Sequence, residues 1–362
     1  MNKRVISVLI ILVATIGAGL WLRFSVFSKL SHMQEVVAFP LTNPTSQKIF
    51  AMNPTGLFSY DPSTKEMQQI IAVTNPNSWI DSSQKLTDGM LGFELDTQGN
   101  NTSTDSKAFY TLNLNTGVLT DEAPIPPTLD GLDFIASGEF AYAQPVNPSV
   151  GFNENYDNLF LFRNGTTTNL GSLPNKGLYG SDMNQSPDGN HIFFANNIYD
   201  MASGAWKPTP ADCAGNQSAW LNNDVLVLKT VNDDSGQGVL CYYDLSTGTE
   251  KTLGTVQEFS VVGNDILYEP VWPTTGLSQI RMYDFSTKTD EPLIANAQLS
   301  MPAYDPNNLG WVLYQPVVED KQCLTIDCLG GAASGSLMLF NLNTNSSSPI
   351  MVGTSTDFES WF

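Results

Sequence analysis

Histidine is almost missing from this chain: 362 residues carry two, His32 and His191. The side chain that most often moves protons near neutral pH and ligates metals is therefore in short supply. Basic residues are scarce as well, 16 against 36 acidic ones, for a net charge of -20 and an isoelectric point near 4.2. Four of the bases (Lys3, Arg4, Arg23 and Lys29) precede the first acid, Glu35, so the remainder is more acidic still. A surface of that sign repels phosphate backbones, which argues against nucleic acid as a partner and suits solubility outside the cell.

Whole motifs are absent too. No serine stands between glycines at nucleophile-elbow spacing, no helix carries two metal-binding histidines, and no glycine-rich loop could cradle phosphate. The stretch from Asn232 to Gly238 has the acids of a calcium loop but not its alternating oxygen ligands or closing glutamate, and reads as a hairpin turn. No cofactor or metal is expected. His191, at a strand start after a turn, reads as a structural residue rather than a general base.

One long apolar run is present, and it lies at the start. Lys3 and Arg4 precede Val5 to Leu22, a stretch without charge that Arg23 closes. Its length suits one membrane-spanning helix with the basic pair kept in the cytoplasm. The small residues Gly17-Ala18-Gly19 are followed by more apolar chain, so an uncleaved signal anchor is expected over residues 1–23. Residues 24–35, including His32, read as a stalk, and 36–362 as a folded extracytoplasmic domain on the outer side of a cell membrane.

That domain is built on a repeat. Gly238 to Gly248 is an apolar strand running into the turn Asp244-Leu245-Ser246-Thr247-Gly248. Variants follow apolar strands at Tyr60-Asp61-Pro62-Ser63-Thr64-Lys65, Asn113 to Gly117, Arg163-Asn164-Gly165, Asp200 to Gly204, Asp284 to Lys288 and Asn341 to Asn345. The steps run from 39 to 57 residues, near the period of propeller blades. A second apolar strand precedes each turn, at Ile49 to Met52, Met90 to Leu95, Phe140 to Ala143, His191 to Ala195, Asp224 to Leu228, Asp265 to Tyr268 and Trp311 to Tyr314. Shorter strands flank these, such as Ser78-Trp79-Ile80 before and Glu250 to Leu253 after. No helical period appears past the anchor. The fold expected is all-β, a seven-bladed β-propeller of four-stranded antiparallel blades preceded by one transmembrane helix. Ser360-Trp361-Phe362 echoes the first strands of blades and is expected to close the ring against the strand at Ile49, with Val36 to Phe39 as the competing candidate.

One blade resembles a known family. Ser186-Pro187-Asp188-Gly189 before the strand at His191 is similar to the turn of TolB-like propeller repeats, and Tyr304-Asp305-Pro306-Asn307-Asn308 before Trp311 is a degraded copy. The resemblance implies a propeller and leaves its role open, since such domains serve as periplasmic partners of membrane complexes, as sensors and as lids of peptidases. No peptidase domain is expected here.

The long loops all join second to third strands, at Asp96 to Lys107, Pro145 to Asn158, Pro270 to Ser278 and Pro316 to Ser336, and so crowd one face. Three open alike, at Tyr142-Ala143-Gln144-Pro145, Tyr268-Glu269-Pro270 and Tyr314-Gln315-Pro316, where proline is expected to end strand pairing. Long loops on a rigid scaffold commonly carry binding. Phe152, Tyr156 and Trp272 could stack on a sugar or a partner, and Glu319, Asp320 and Asp327 could hold a cation or an amine. Four cysteines in an exported chain imply two disulfides, of which the local pairing is Cys213 to Cys241 and Cys323 to Cys328. The function expected is a binding or scaffold module for an envelope protein or glycan, acting through the long-loop face. The alternative is a carbohydrate-active hydrolase or lyase using loop carboxylates.

Overall fold

The computed structural model describes residues 36–42, 48–53, 55–86, 89–97, 106–122, 131–136, 139–146, 155–163, 165–175, 183–231, 237–271, 279–299, 310–318, 332–333, 338–350 and 360–361. They form antiparallel sheets whose strands, outside sheet I, neighbour one another in sequence order. Sheet I runs Val36–Ala38, Glu66–Val73, Gly56–Asp61, Ile49–Asn53 and Ser360–Trp361. Sheet II holds Ser78–Lys85, Met90–Thr97, Ser106–Asn113 and Leu119–Asp121, and sheet III holds Gly131–Ala136, Glu139–Pro145, Asn155–Arg163 and Thr166–Asn175. Sheet IV is Asn184–Gln185, His191–Phe194, Asn197–Asp200 and Ala205–Pro208. Sheet V has seven strands: Gln217–Trp220, Val225–Val231, Gly238–Asp244, Thr249–Val262, Asp265–Pro270, Gln279–Asp284 and Thr289–Ala295. Sheet VI pairs Ala297–Leu299, Trp311–Val318, Met338–Asn341 and Ser346–Pro349, with Ala332–Ala333 on the far end of Trp311–Val318.

Apolar side chains on both faces of the middle strands make these sheets stack. In His191–Phe194, Ile192 and Phe194 pack toward sheet III while Phe193 packs toward sheet V, as the two-residue period of a strand requires. The same alternation continues around the molecule. Phe50 and Leu57 meet Leu91 and Phe93 between sheets I and II, and Phe109 meets Phe140 between II and III. Leu240 meets Phe259 between the two halves of sheet V, and Leu267 meets Val312 between V and VI. Leu313 and Leu339 return to Ile49 and Tyr60 of sheet I. Sheets packed face to face in sequence, the last upon the first, make a closed toroid, which is a β-propeller. The outermost strands, such as Thr289–Ala295 and Ser346–Pro349, are mostly exposed, so the first strand of each set lies toward the axis.

The recurrent turn has a local cause. Asp244 Oδ1 accepts the amides of Ser246 (3.0 Å) and Thr247 (3.2 Å), and the Gly248 amide returns to the Asp244 carbonyl at 2.8 Å. Asp61, Asn113, Asp284 and Asn341 accept the same pair of amides in their own turns. The closing residue needs a left-handed backbone: φ is +69° at Gly248 and Gly117, but also +61° at Lys65, +60° at Lys288 and +51° at Asn345.

Two expectations are corrected in detail, and the ring closes on the C-terminal strand as expected. The short strand at Glu250 to Leu253 belongs to a 14-residue strand, Thr249–Val262, that leaves one four-stranded set and enters the next through a register shift at Gln257. Trp311–Val318 runs past Pro316, because the ladder to Ala297 and then to Ala333 is carried by neighbouring residues. Val36–Ala38 does not close the ring. It lies outside Glu66–Val73, while Ser360–Trp361 takes the innermost place against Ile49–Asn53.

Cys213, in a short 3-10 turn at Ala211–Cys213, is bonded to Cys241 of Gly238–Asp244, and both are buried. Closing 28 residues of chain in this way restricts the unfolded state by about 3.5 kcal/mol. Cys323 and Cys328 lie outside the described residues, as does the apolar run Val5 to Leu22. Among the described residues, no helix is long and apolar enough to cross a membrane.

Candidate binding face

The strands that end in or carry the Tyr and Pro residues all point one way, and each is tied sideways by its tyrosine. Tyr142 hydrogen-bonds the Thr167 side chain. Tyr314 donates to Ser347 Oγ at 3.0 Å, and Tyr268 to Asp290 Oδ2 at 2.7 Å. Each bond joins the second strand of a set to its fourth, over the third, just before the loop leaves. Arg281 doubles the brace in sheet V, with Nε 3.0 Å from Asp290 Oδ1 and Nη2 3.2 Å from its carbonyl. Burial, and then the Asp290 carboxylate, push the Tyr268 hydroxyl up to about 12.

A buried charge cluster sits at the same end of sheet V. Lys229 is 1% exposed, in a strand otherwise apolar from Val225 to Leu228. Its Nζ donates to the Gln257 carbonyl at 2.5 Å, where the long strand shifts register, and lies 3.8 Å from Glu258 Oε2. Glu269, fully buried, is in register with Glu258 on the next strand. Burial pushes the Lys229 ammonium below the usual lysine range, opposed by Glu258 and Glu269. Lys229 precedes the segment 232–236 and Glu269 precedes 272–278, so the cluster fixes the roots of two loops at once. Two acidic side chains thus face one buried lysine, with the Glu258 side chain 23% exposed.

Polar atoms accompany it on the innermost strands. Gln217, in register with Lys229, has a buried Oε1 with no hydrogen-bond partner among the described residues, and the same holds for the hydroxyls of Ser218 and Ser260. Buried polar atoms of this kind are places for ordered water or a polar ligand group. Among the described residues no three His, Cys, Asp or Glu side chains are placed to hold a metal. His191 stacks on Trp220 at 5.9 Å between ring centres, its Nε2 3.5 Å from Asp200.

Of the residues singled out from the sequence, Tyr156 lies at the start of Asn155–Arg163, opposite Pro174. Phe152, Trp272, Glu319, Asp320 and Asp327 lie outside the described residues. Sequence reasoning missed Lys229, Glu258 and Glu269. The available signal was a lone base at a core-facing position of an apolar strand.

No protein-family profile matches the chain, and no curated protein matches it by sequence. Solved structures do. The chain is similar to a structure from a study of two prolyl endopeptidases, at 12% identity and a TM-score of 0.53, covering 82% of this chain and 46% of that one. It is similar to dipeptidyl peptidase 4 of Porphyromonas gingivalis at 12% identity and a TM-score of 0.51, covering 88% and 53%. The chain thus spans about half the length of each, and the likeness is one of fold. TolB of Acinetobacter baumannii is a fainter match, with 13% identity and a TM-score of 0.39 over 82% of this chain and 77% of that one.

Proposed function

We propose that the chain is a seven-bladed, TolB-like propeller, held to a membrane by Val5 to Leu22, that binds an envelope protein or glycan through the face where its long loops leave. Counting the two halves of sheet V separately gives seven sets, six of four strands in line and sheet I of five, which supports the blade number. The observation that carries the binding role is the rigid base under the loops. Tyrosine braces at three roots, and the Lys229 cluster at one of these and one more, hold loop ends in fixed places, the arrangement a preorganised recognition surface needs. Phe152, Tyr156 and Trp272 supply the aromatic contacts in this reading, and Glu319, Asp320 and Asp327 the polar ones.

The test compares wild type with a variant in which residues 318–335 are replaced by a tight turn, on a glycan array and in cross-linking to envelope extracts. Matching circular dichroism shows that the ring is intact in both. Loss of a ligand by the shortened chain supports the reading, and Trp272→Ala should then weaken the same ligand by about 2 kcal/mol or more. Equal binding by both places the site elsewhere. Turnover of a bound glycan would move the assignment to a hydrolase or lyase.

A further inference from the structure

Among the described residues, the exposed large hydrophobic side chains are Val37, Phe39, Val118 and Val146, at 41 to 57% exposure. Three of them stand on two chain segments that meet. Val37 and Phe39 are two residues apart on the outer edge of sheet I and share a face. Phe39 and Pro40 press on Gly117 of sheet II, where an added Cβ would come within 2.7 Å of the Pro40 nitrogen, and Val118 is the next residue. This apolar rim is fixed in place. Phe39 donates to the Ile70 carbonyl at 2.8 Å and Leu41 to that of Leu114 at 2.7 Å. The Gln68 amide accepts from Thr42 at 2.7 Å and donates to the Pro40 carbonyl at 2.8 Å. Val36 and Leu41 are buried on either side as plugs. Neither 36–42 nor 113–119 contains a charge, in a chain with 16 basic and 36 acidic residues.

The geometry points to a lipid bilayer surface as the occupant of this rim. Between Leu22, the end of the uncharged run, and Val36 lie 13 residues, Arg23 and the stalk 24–35, which reach at most about 45 Å when extended. With that run in a bilayer, the rim is the first folded surface the chain meets outside it, so this inference rests on the anchor in the proposed function. A strongly acidic domain is repelled by anionic lipid. Its contact is therefore confined to a charge-free patch, where phenylalanine and valine enter the interface. Gly117 and Val118 lie in the turn from the third strand of sheet II to its fourth, at the end opposite the loops between second and third strands, so seating there leaves the long-loop face open to a partner.

The test places single spin labels through Phe39→Cys, Val118→Cys and Val146→Cys in the full chain, reconstituted in vesicles of neutral and anionic phospholipid. Collision rates with oxygen and with a water-soluble nickel chelate are compared. The expected oxygen-to-nickel ratio is several-fold higher at positions 39 and 118 than at 146. Equal ratios at the three sites, in protein that resists carbonate extraction, overturn the seating and leave the anchor standing. Release of the protein by carbonate overturns both. Dipolar broadening between labels at position 39 means that a second copy covers the rim, and likewise overturns the lipid assignment.

Discussion

Trp361 stands in antiparallel register with Ala51, and Ser360 with Met52, so residues 310 positions apart share one sheet. The first strand of sheet I comes from the far end of the sequence, and the ring depends on it. Deleting 360–362 should remove about two ladder hydrogen bonds, or about 2 kcal/mol, and bare the edge of Ile49–Asn53. Urea melts should show the loss and light scattering the association. An unchanged midpoint would mean that stacking of Leu313 and Leu339 on Ile49 closes the ring unaided.

The turns differ in what closes them. Lys65 holds φ at +61° without a compensating ring contact among the described residues, whereas Lys288 Nζ lies 3.1 Å over the Phe285 ring. Lys65→Gly should therefore stabilise by about 1 kcal/mol, the left-handed strain less the added freedom of the unfolded chain. Lys288→Gly should gain less, because it gives up the cation over the ring. Thermal melts of the two variants against wild type check the difference.

Acid should act on some turns and spare others. For Asp244, burial raises the carboxyl but is outweighed by hydrogen bonds from Ser246 and Thr247, leaving it below the usual range. Asp284 is lowered by the bonds from Thr287 and Ser286. A carboxyl lowered on folding contributes stability above its unfolded value, about 3.9, and loses it as pH falls through the folded value. Asn113 and Asn341 make the same bonds and do not titrate. Melts between pH 5 and pH 2 should thus flatten when Asp244→Asn and Asp284→Asn are combined. An unaltered pH slope would mean that these turns do not govern acid unfolding.

Lys229 should matter through its partners. Lys229→Met removes the donor to the Gln257 carbonyl and the cation that offsets Glu258 and Glu269, at a cost of about 3 kcal/mol. Adding Glu269→Gln should recover part of that loss, a coupling that a double-mutant cycle measures. The pH sign is the same as that of the turns, in a window at the alkaline end of the scale. A lysine lowered on folding binds its proton more weakly than in the unfolded chain, so stability rises with pH just below about 10.4. That rise should vanish in Lys229→Met. Tyr268 acts the other way from about pH 10 to about 12, identically in both proteins.

Features carried by local chemistry were legible in the sequence. The turn at Asp244 to Gly248 works through side-chain bonds two and three residues away, so its copies announced themselves. Cys213 and Cys241 are near in sequence, and their pairing was readable. Ser360-Trp361 echoes the first strands of other sets, which marked it for the inner place against Ile49–Asn53. Distant side-chain partners were not legible. Lys229 meets Gln257 and Glu258 only because two sets of strands stack, and no local pattern encodes that stacking. The loop residues Phe152, Trp272, Glu319, Asp320 and Asp327 were named for their chemistry alone, since loop sequence fixes a position far less than strand period does.

The unbroken strand from Thr249 to Val262 makes a joint that, among the described residues, has no counterpart between the other sets. It hydrogen-bonds Gly238–Asp244 along its first half and Asp265–Pro270 along its second, so the two flanking sets share a backbone ladder as well as side-chain packing. Local opening follows cooperative units, and here two sets form one unit. Native-state amide exchange should find Val225 to Asp284 opening together, while the sets elsewhere part at their seams. A permuted or split version of this chain would keep its fold most readily when cut at one of those seams, and least readily within this doubled segment.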